Sequence, residues 1–166
     1  MSGPIDQQKL ENIRLVAFDV DGVFTDGRFY LSDDGVESKS FHTQDGFGIR
    51  RLIEGGFEVA VISGRTSKAV QLRMTDLGVG HIILGCKDKI AALDRILEQL
   101  NLKPGQAAYA GDDLPDLPLL QYAGTSFAVA NAVPEVQAAC DYTTRARGGQ
   151  GAVREICDLL TRSLPV

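Results

Sequence analysis

The chain has 166 residues, 44% of them hydrophobic and 23% charged, with a formal net charge of −5. These values describe one ordinary globular domain, large enough to bury a core without disulfides or a structural metal, and they exclude a disordered chain. The excess of acidic over basic residues excludes broad nucleic-acid or membrane-surface binding, and no apolar run approaches the roughly 18 residues of a membrane span.

Residues 1–12 are polar and lack the layout of a signal peptide, so a cytoplasmic protein is expected. The first apolar burst, Leu15-Val16-Ala17-Phe18, reads as a short buried strand. Residues 28–31 and 36–41 flank Ser32-Asp33-Asp34-Gly35 and read as a β-hairpin with a four-residue turn. A helix is predicted over 45–54, stopping at Gly55-Gly56, and a second buried strand over 59–62. Residues 66–77 read as a helix that starts at a Thr66 or Ser67 cap and ends at Gly78, and 81–84 as a third strand. Over 88–100 the pattern is that of an amphipathic helix, with Ile90, Leu93, Ile96, Leu97 and Leu100 on one face. A fourth strand over 107–110 leads into a Pro-rich turn and a short helix through Tyr122. A fifth strand follows over 127–129, then helices over 134–139 and 151–160. Alternation of strand and helix with short connections specifies an α/β fold: a Rossmann-like parallel sheet with helices on both faces, and the hairpin as an insertion after strand one.

In such a sheet the ligand binds beyond the carboxyl ends of the strands. Four successive strands deliver polar groups to that edge. The first is followed by Asp19 and Asp21, the second by Ser63, Gly64 and Arg65, the third by Lys89, and the fourth by Asp112, Asp113 and Asp116. Two carboxylates two residues apart can divide the work of nucleophile or metal ligand from that of general acid and base. The second acidic cluster calls for a cation, and oxygen ligands without a neighbouring histidine point to Mg²⁺ rather than zinc. Ser63 and Lys89 offer a hydroxyl and a fixed positive charge to a phosphate, while Arg65 and Arg73 are candidates to grip a carboxylate. Cys86, Cys140 and Cys157 form no C-x-x-C pair and are expected as reduced thiols; His42 and His81 are expected to be structural. An EF-hand is ruled out by Val23 and Tyr30, and a P-loop by Cys86 in the place of its lysine.

This set of residues resembles the haloacid dehalogenase (HAD) superfamily of phosphatases. The pattern D-x-D, then Ser or Thr, then Lys, then an acidic G-D-D-x-x-D is met by Asp19 and Asp21, Ser63, Lys89, Asp112 and Asp116. Within it, the chain is similar to the cap-less branch acting on 3-deoxy-D-manno-octulosonate 8-phosphate (KDO 8-phosphate). The shared stretches are D-V-D-G-V-x-T-D-G from Asp19, F-x-x-x-D-G-x-G from Phe41 and G-G-x-G-A-V-R-E from Gly148. Arg65 after Ser63-Gly64 also matches the eight-carbon branch, where the branch for nine-carbon sialic-type 9-phosphates has Glu; Gln150 departs from the Arg that many members carry in the glycine run.

The resemblance implies a Mg²⁺-dependent phosphomonoesterase of lipopolysaccharide precursor synthesis. Asp19 is then the nucleophile and Asp21 the general acid and base. The side chains of Asp19 and Asp112 and the carbonyl of Asp21 hold the metal, Ser63 and Lys89 stabilise the phosphoryl group, and Asp113 and Asp116 support Lys89 or the metal shell. Gly64, Arg65 and Arg73 contact substrate. It also implies a homotetramer built through the 28–41 hairpin, with the 145–166 tail helping to close a neighbour's site; the Gly-rich stretch 145–151 itself reads as a mobile lid. A non-catalytic module on the same fold is the competing class, although it ordinarily lacks one of the catalytic carboxylates. A receiver domain is disfavoured because strand two ends in Ser63, and a mutase or dehalogenase because residues 22–63 leave little room for a cap domain.

Overall fold

The computed structural model describes residues 5–162. The first strand, β1 (Leu15–Phe18), is followed by a hairpin of β2 (Tyr30–Leu31) and β3 (Glu37–Ser38), then by β4 (Glu58–Ile62), β5 (His81–Ile83), β6 (Ala107–Gly111), β7 (Thr125–Ala128) and β8 (Tyr142–Thr143). All but the hairpin join one sheet in the order β5-β4-β1-β6-β7-β8, every pair parallel. β1 and β6 are buried along their whole length, which is why they read as unbroken apolar runs rather than alternating ones. The chain winds outward from β1 through β4 and β5, then crosses back to β6 and winds outward the other way. The carboxyl ends of β1 and β6 therefore border the crevice where the winding direction reverses.

Seven α-helices complete the described residues: α1 (Gln7–Asn12), α2 (Thr43–Glu54), α3 (Lys68–Leu77), α4 (Lys89–Leu100), α5 (Leu117–Tyr122), α6 (Pro134–Ala139) and α7 (Ala152–Leu160). One group, with α2 packed on α3 and α7, and a second, with α5 packed on α4 and α6, flank the sheet. Caps set several boundaries. The Ser67 side chain accepts from the Val70 amide and that of Asp88 from the Ala91 amide, so α3 and α4 begin one residue later. Nδ1 of His42 accepts from the Gln44 amide and starts α2 two residues before the expected position.

Two elements escape the sequence pattern. Helix α1 buries only Leu10 and so shows no period; its start is fixed by the Asp6 cap. Strand β8 is two residues long and exists because it pairs with β7. Strand β7 also begins two residues earlier than expected, at Thr125 and Ser126. Their polarity hides the strand, but Ser126 is satisfied by donating from its amide and hydroxyl to the Asp141 carboxylate, at 2.9 and 3.1 Å. The hairpin is shorter than expected, with two residues in each strand. Its Phe29, Tyr30, Leu31 and Val36 are exposed, between 43% and 71%. A ribbon of that size is marginal by itself.

Two of the sequence stretches noted above meet where α2 packs on α7. Gly151, at the start of α7, has no side chain with which to cap the helix. The buried Asp45 of α2 does so instead, accepting the Arg154 amide at 2.8 Å. Its burial pushes the carboxyl pKa above the ordinary value, against the pull of the Arg154 amide. Replacing Asp45→Ala is expected to cost about 2 kcal/mol in urea unfolding, as for a lost cap in a buried setting, while Asp45→Asn, which keeps the acceptor, costs less than half of that.

Candidate active site

The loop after β1 is built to hold two carboxylates rigidly. The Asp19 amide still donates to the Ala110 carbonyl at 2.9 Å, so Asp19 continues the strand, and its side chain lies over the crevice between β1 and β6. The chain then turns sharply: the amides of Val23, Phe24 and Thr25 all donate to the Val20 carbonyl. Phe24 tucks edge-on against Phe18, ring centroids 5.4 Å apart, and the Thr25 hydroxyl accepts from the amides of Gly22 and Gly27, both at 3.2 Å. Gly22 has φ +82°, and a Cβ there would fall 2.0 Å from Oδ2 of Asp112, so this approach of the loop to Asp112 requires glycine. From the other side, Asn131 donates to the Gly22 carbonyl at 2.9 Å and accepts from the Gly148 amide at 2.6 Å. A Cβ on Gly148 would lie 1.7 Å from the Gly22 carbonyl oxygen. The glycine run, expected as a mobile lid, is instead packed against this loop; the part of the tail beyond residue 162 lies outside the described residues.

Ser63 follows β4 and is 3% exposed, its amide donating to the Ile83 carbonyl and its carbonyl accepting from the Cys86 amide, both at 2.9 Å. The ends of β4 and β5 are thereby locked together, and Lys89 enters at the first position of α4. Its Nζ donates to Asp19 Oδ1 at 2.9 Å, to Asp116 Oδ1 at 2.7 Å and to the Tyr109 hydroxyl at 3.1 Å. Burial opposes the lysine's charge, but the carboxylates of Asp19 and Asp116 outweigh it and hold its pKa above the ordinary value. Asp116 is saturated. Its Oδ1 also accepts from Tyr109 at 2.7 Å, and its Oδ2 accepts from the amides of Asp112 and Asp113, at 3.0 and 3.3 Å. Asp113 caps the 3₁₀ turn Leu114–Asp116 by accepting from the Leu114 amide at 2.8 Å.

Asp19, Asp112 and Asp116 have carboxylate oxygens within 4.8 Å of one another. Three carboxylates facing one ammonium leave negative charge uncompensated. Burial first, and then the neighbouring carboxylates, push the Asp112 pKa up to about 7; burial and Asp116 push that of Asp19 up to about 6, despite Lys89. The donor set fits a hard divalent cation. With Asp116 occupied by four donors, the free oxygens belong to Asp19 and Asp112, the latter against the backbone of Gly22.

These groups line a cleft of about 310 Å³, together with Asp21, Gly27, Ser63, Gly64, Arg65 and Pro115. A cavity of similar volume between α1, Phe57 and α7 opens by Arg14 and Gly56, at the amino ends of β1 and β4, the edge of the sheet away from the Asp19–Asp112–Asp116 group. Arg65 reaches the cleft, with Nε 3.6 Å from Asp21 Oδ2 and its guanidinium stacked 4.4 Å above the Phe29 ring. Arg73 does not. It lies further along α3, against Gly46 of α2, with Nη1 3.4 Å from Asp76. Helix periodicity alone does not say which neighbour a side chain meets, and here the neighbour is α2. Three residues of this neighbourhood were not anticipated: Tyr109, Glu37 and Lys39. A lone hydroxyl in the strand Ala107-Ala108-Tyr109-Ala110-Gly111 was the available signal for Tyr109. Cys86, Cys140 and Cys157 are free thiols, as expected, and no helix among the described residues is long and apolar enough to cross a membrane.

Residues 81–156 match the family model of haloacid dehalogenase-like hydrolases. Over 161 residues the chain is 46% identical to the 3-deoxy-D-manno-octulosonate 8-phosphate phosphatase of Escherichia coli K12, covering 95% of this chain and 86% of that protein. The crystal structure of the Moraxella catarrhalis enzyme of that name, in complex with magnesium, phosphate and KDO, superposes with a TM-score of 0.91 at 42% identity, covering 94% of this chain and 90% of that one. The cobalt-bound enzyme of Haemophilus influenzae gives 0.90 at 44% identity, covering 94% and 91%.

Proposed function

The chain belongs to the haloacid dehalogenase-like hydrolases, in the family of 3-deoxy-D-manno-octulosonate 8-phosphate phosphatases, and we propose that it hydrolyses KDO 8-phosphate to the free sugar acid and phosphate in a Mg²⁺-dependent reaction. The observation that carries this reading is the division of labour among its carboxylates. Asp116 is spent on Lys89, Tyr109 and two amides, which leaves Asp19 and Asp112 free to face a cation and a phosphate.

In this scheme Asp19 attacks phosphorus in line and forms an aspartyl-phosphate. Asp21 gives a proton to the departing sugar oxygen and then takes one from the water that cleaves the intermediate. Lys89, held on Asp19 and Asp116, meets the charge that spreads over the phosphoryl oxygens, and the Ser63 hydroxyl meets it from the end of β4. Asp19, Asp112 and the Asp21 carbonyl would hold Mg²⁺. When bound, the ion screens the repulsion between carboxylate and phosphate and polarises the phosphoryl group. Gly64 leaves the rim of the cleft open, Asp113 holds the acidic turn in shape, and Arg65 faces the substrate carboxylate.

We assign one catalytic domain to the chain, a cytoplasmic location, a role in supplying a lipopolysaccharide precursor, and a homotetramer formed through the 28–41 hairpin. The exposed Phe29, Tyr30, Leu31 and Val36 support the assembly, since a ribbon this short needs a partner for its apolar face. The test is phosphate release with and without Mg²⁺ from KDO 8-phosphate, a nine-carbon sialic-type 9-phosphate, hexose phosphates and p-nitrophenyl phosphate. Selective release from KDO 8-phosphate is expected, from a species that sediments as four chains. A preference for the nine-carbon substrate would reassign the branch, and Mg²⁺ binding without release from any substrate would overturn the enzyme reading.

A further inference from the structure

Two charged residues at the end of the hairpin, Glu37 in β3 and Lys39 just after it, have no part in the scheme above. Along 36–41 exposure alternates: Val36, Ser38 and Ser40 face outward, while Glu37, Lys39 and Phe41 are turned inward. This is the period of a strand, but with opposite charges on its inner face. The side chain of Lys39 has no exposed surface. A buried ammonium persists only where its charge is met. Here Nζ donates to Oδ1 of Asp21 and lies 3.5 Å from Oε1 of Glu37. Glu37 in turn accepts from Nη2 of Arg65 at 2.6 Å, and Nε of Arg65 lies 3.6 Å from the other oxygen of Asp21. Among the described residues, Lys39 and Arg65 are the partners of the Asp21 carboxylate, one on each oxygen. Thr25 and Val20 fix only the backbone of that loop.

We propose that Lys39 is a positioning residue for Asp21, holding its carboxylate toward the oxygen of the leaving sugar. Because its own side chain is covered, it acts through Asp21 rather than by touching substrate. The inference rests on the acid–base role given to Asp21. It makes the hairpin part of the catalytic apparatus, since Lys39 immediately follows β3.

A proton donor matters most when the leaving group is a poor one. An alkoxide of a sugar needs the proton, whereas nitrophenolate leaves without it. Lys39→Met is expected to lower kcat on KDO 8-phosphate by about 10²-fold and on p-nitrophenyl phosphate by less than about fivefold, with KM for the sugar phosphate within about threefold of wild type. The deciding readout is the ratio of kcat on the two substrates. A ratio unchanged from wild type, or a loss carried by KM alone, overturns the role and leaves Lys39 as part of the hairpin's structure. Should Lys39→Met not reach the wild-type fold by thermal melting, Lys39→Gln is read in the same way. If the wild-type chain releases phosphate from neither substrate, the functional reading fails and this role fails with it. Turnover by wild type with an unchanged ratio in the variants overturns the role of Lys39 alone.

Discussion

Asp19→Asn is expected to lower kcat by at least about 10³-fold while leaving the metal-free protein no less stable than wild type. Both halves follow from where Asp19 sits. Its side chain lies at the switch point of the sheet, on Lys89 and in the group of carboxylates that faces the cleft, and an amide in that place cannot attack phosphorus. For folding, its charge is a liability. Burial and the charge of Asp116 raise its pKa to about 6, so without a cation its ionisation costs more in the fold than in the unfolded chain. Asparagine keeps the shape and an acceptor for Lys89 while removing that charge. Functional sites commonly hold such destabilised groups. Retention of more than a few per cent of wild-type kcat, measured with KDO 8-phosphate, would show that the nucleophile lies elsewhere. A fall in melting temperature without metal would show that the charge supports the fold.

Mg²⁺ is expected to raise the melting temperature by about 5–10 °C at about pH 8 and by much less at about pH 5.5, and to lose this effect in Asp112→Asn. The sign follows from linkage. Asp112 rises to about 7 and Asp19 to about 6 in the folded chain, against 3.8 for an unperturbed Asp. Between the ordinary and the raised value the folded state binds more protons than the unfolded one, so these two groups stabilise the metal-free fold as pH falls from about 8 toward 4. Above about pH 7 both are ionised and repel, and that is the range in which a divalent cation meets two open carboxylates. Below it, the cation must displace a proton from Asp112. Without metal, Asp112→Asn is expected to melt higher than wild type at about pH 8, since it removes one of the repelling charges. Scanning calorimetry at the two pH values, with and without Mg²⁺, reads all of these outcomes. An equal shift at both pH values, or a shift that survives in Asp112→Asn, would place the cation elsewhere.

The two experiments separate two uses of negative charge. Asp116 is also buried, but it is surrounded by donors and anchors Lys89, so its loss is expected to loosen the site rather than to free it from repulsion. The same geometry explains why Tyr109 stands in a strand otherwise made of Ala and Gly: its buried hydroxyl bridges Lys89 and Asp116.

The sequence by itself determined the parallel α/β architecture and the edge of the sheet at which the chemistry collects. Each of those features is local: an apolar run makes a buried strand, and the residue after its carboxyl end necessarily falls on the binding edge. Asp19, Asp21, Ser63, Lys89, Asp112 and Asp116 were legible for that reason. The tertiary structure decided what depends on which surfaces meet. It turned Arg73 toward α2 and away from the cleft, packed the glycine run against Gly22, paired the two residues of β8, and turned Lys39 and Glu37 inward while leaving Phe29, Tyr30 and Leu31 outside. Period along a chain fixes which residues share a face; it does not fix what that face is pressed against, because the partner comes from a distant segment and the choice is made by burial and charge at the contact.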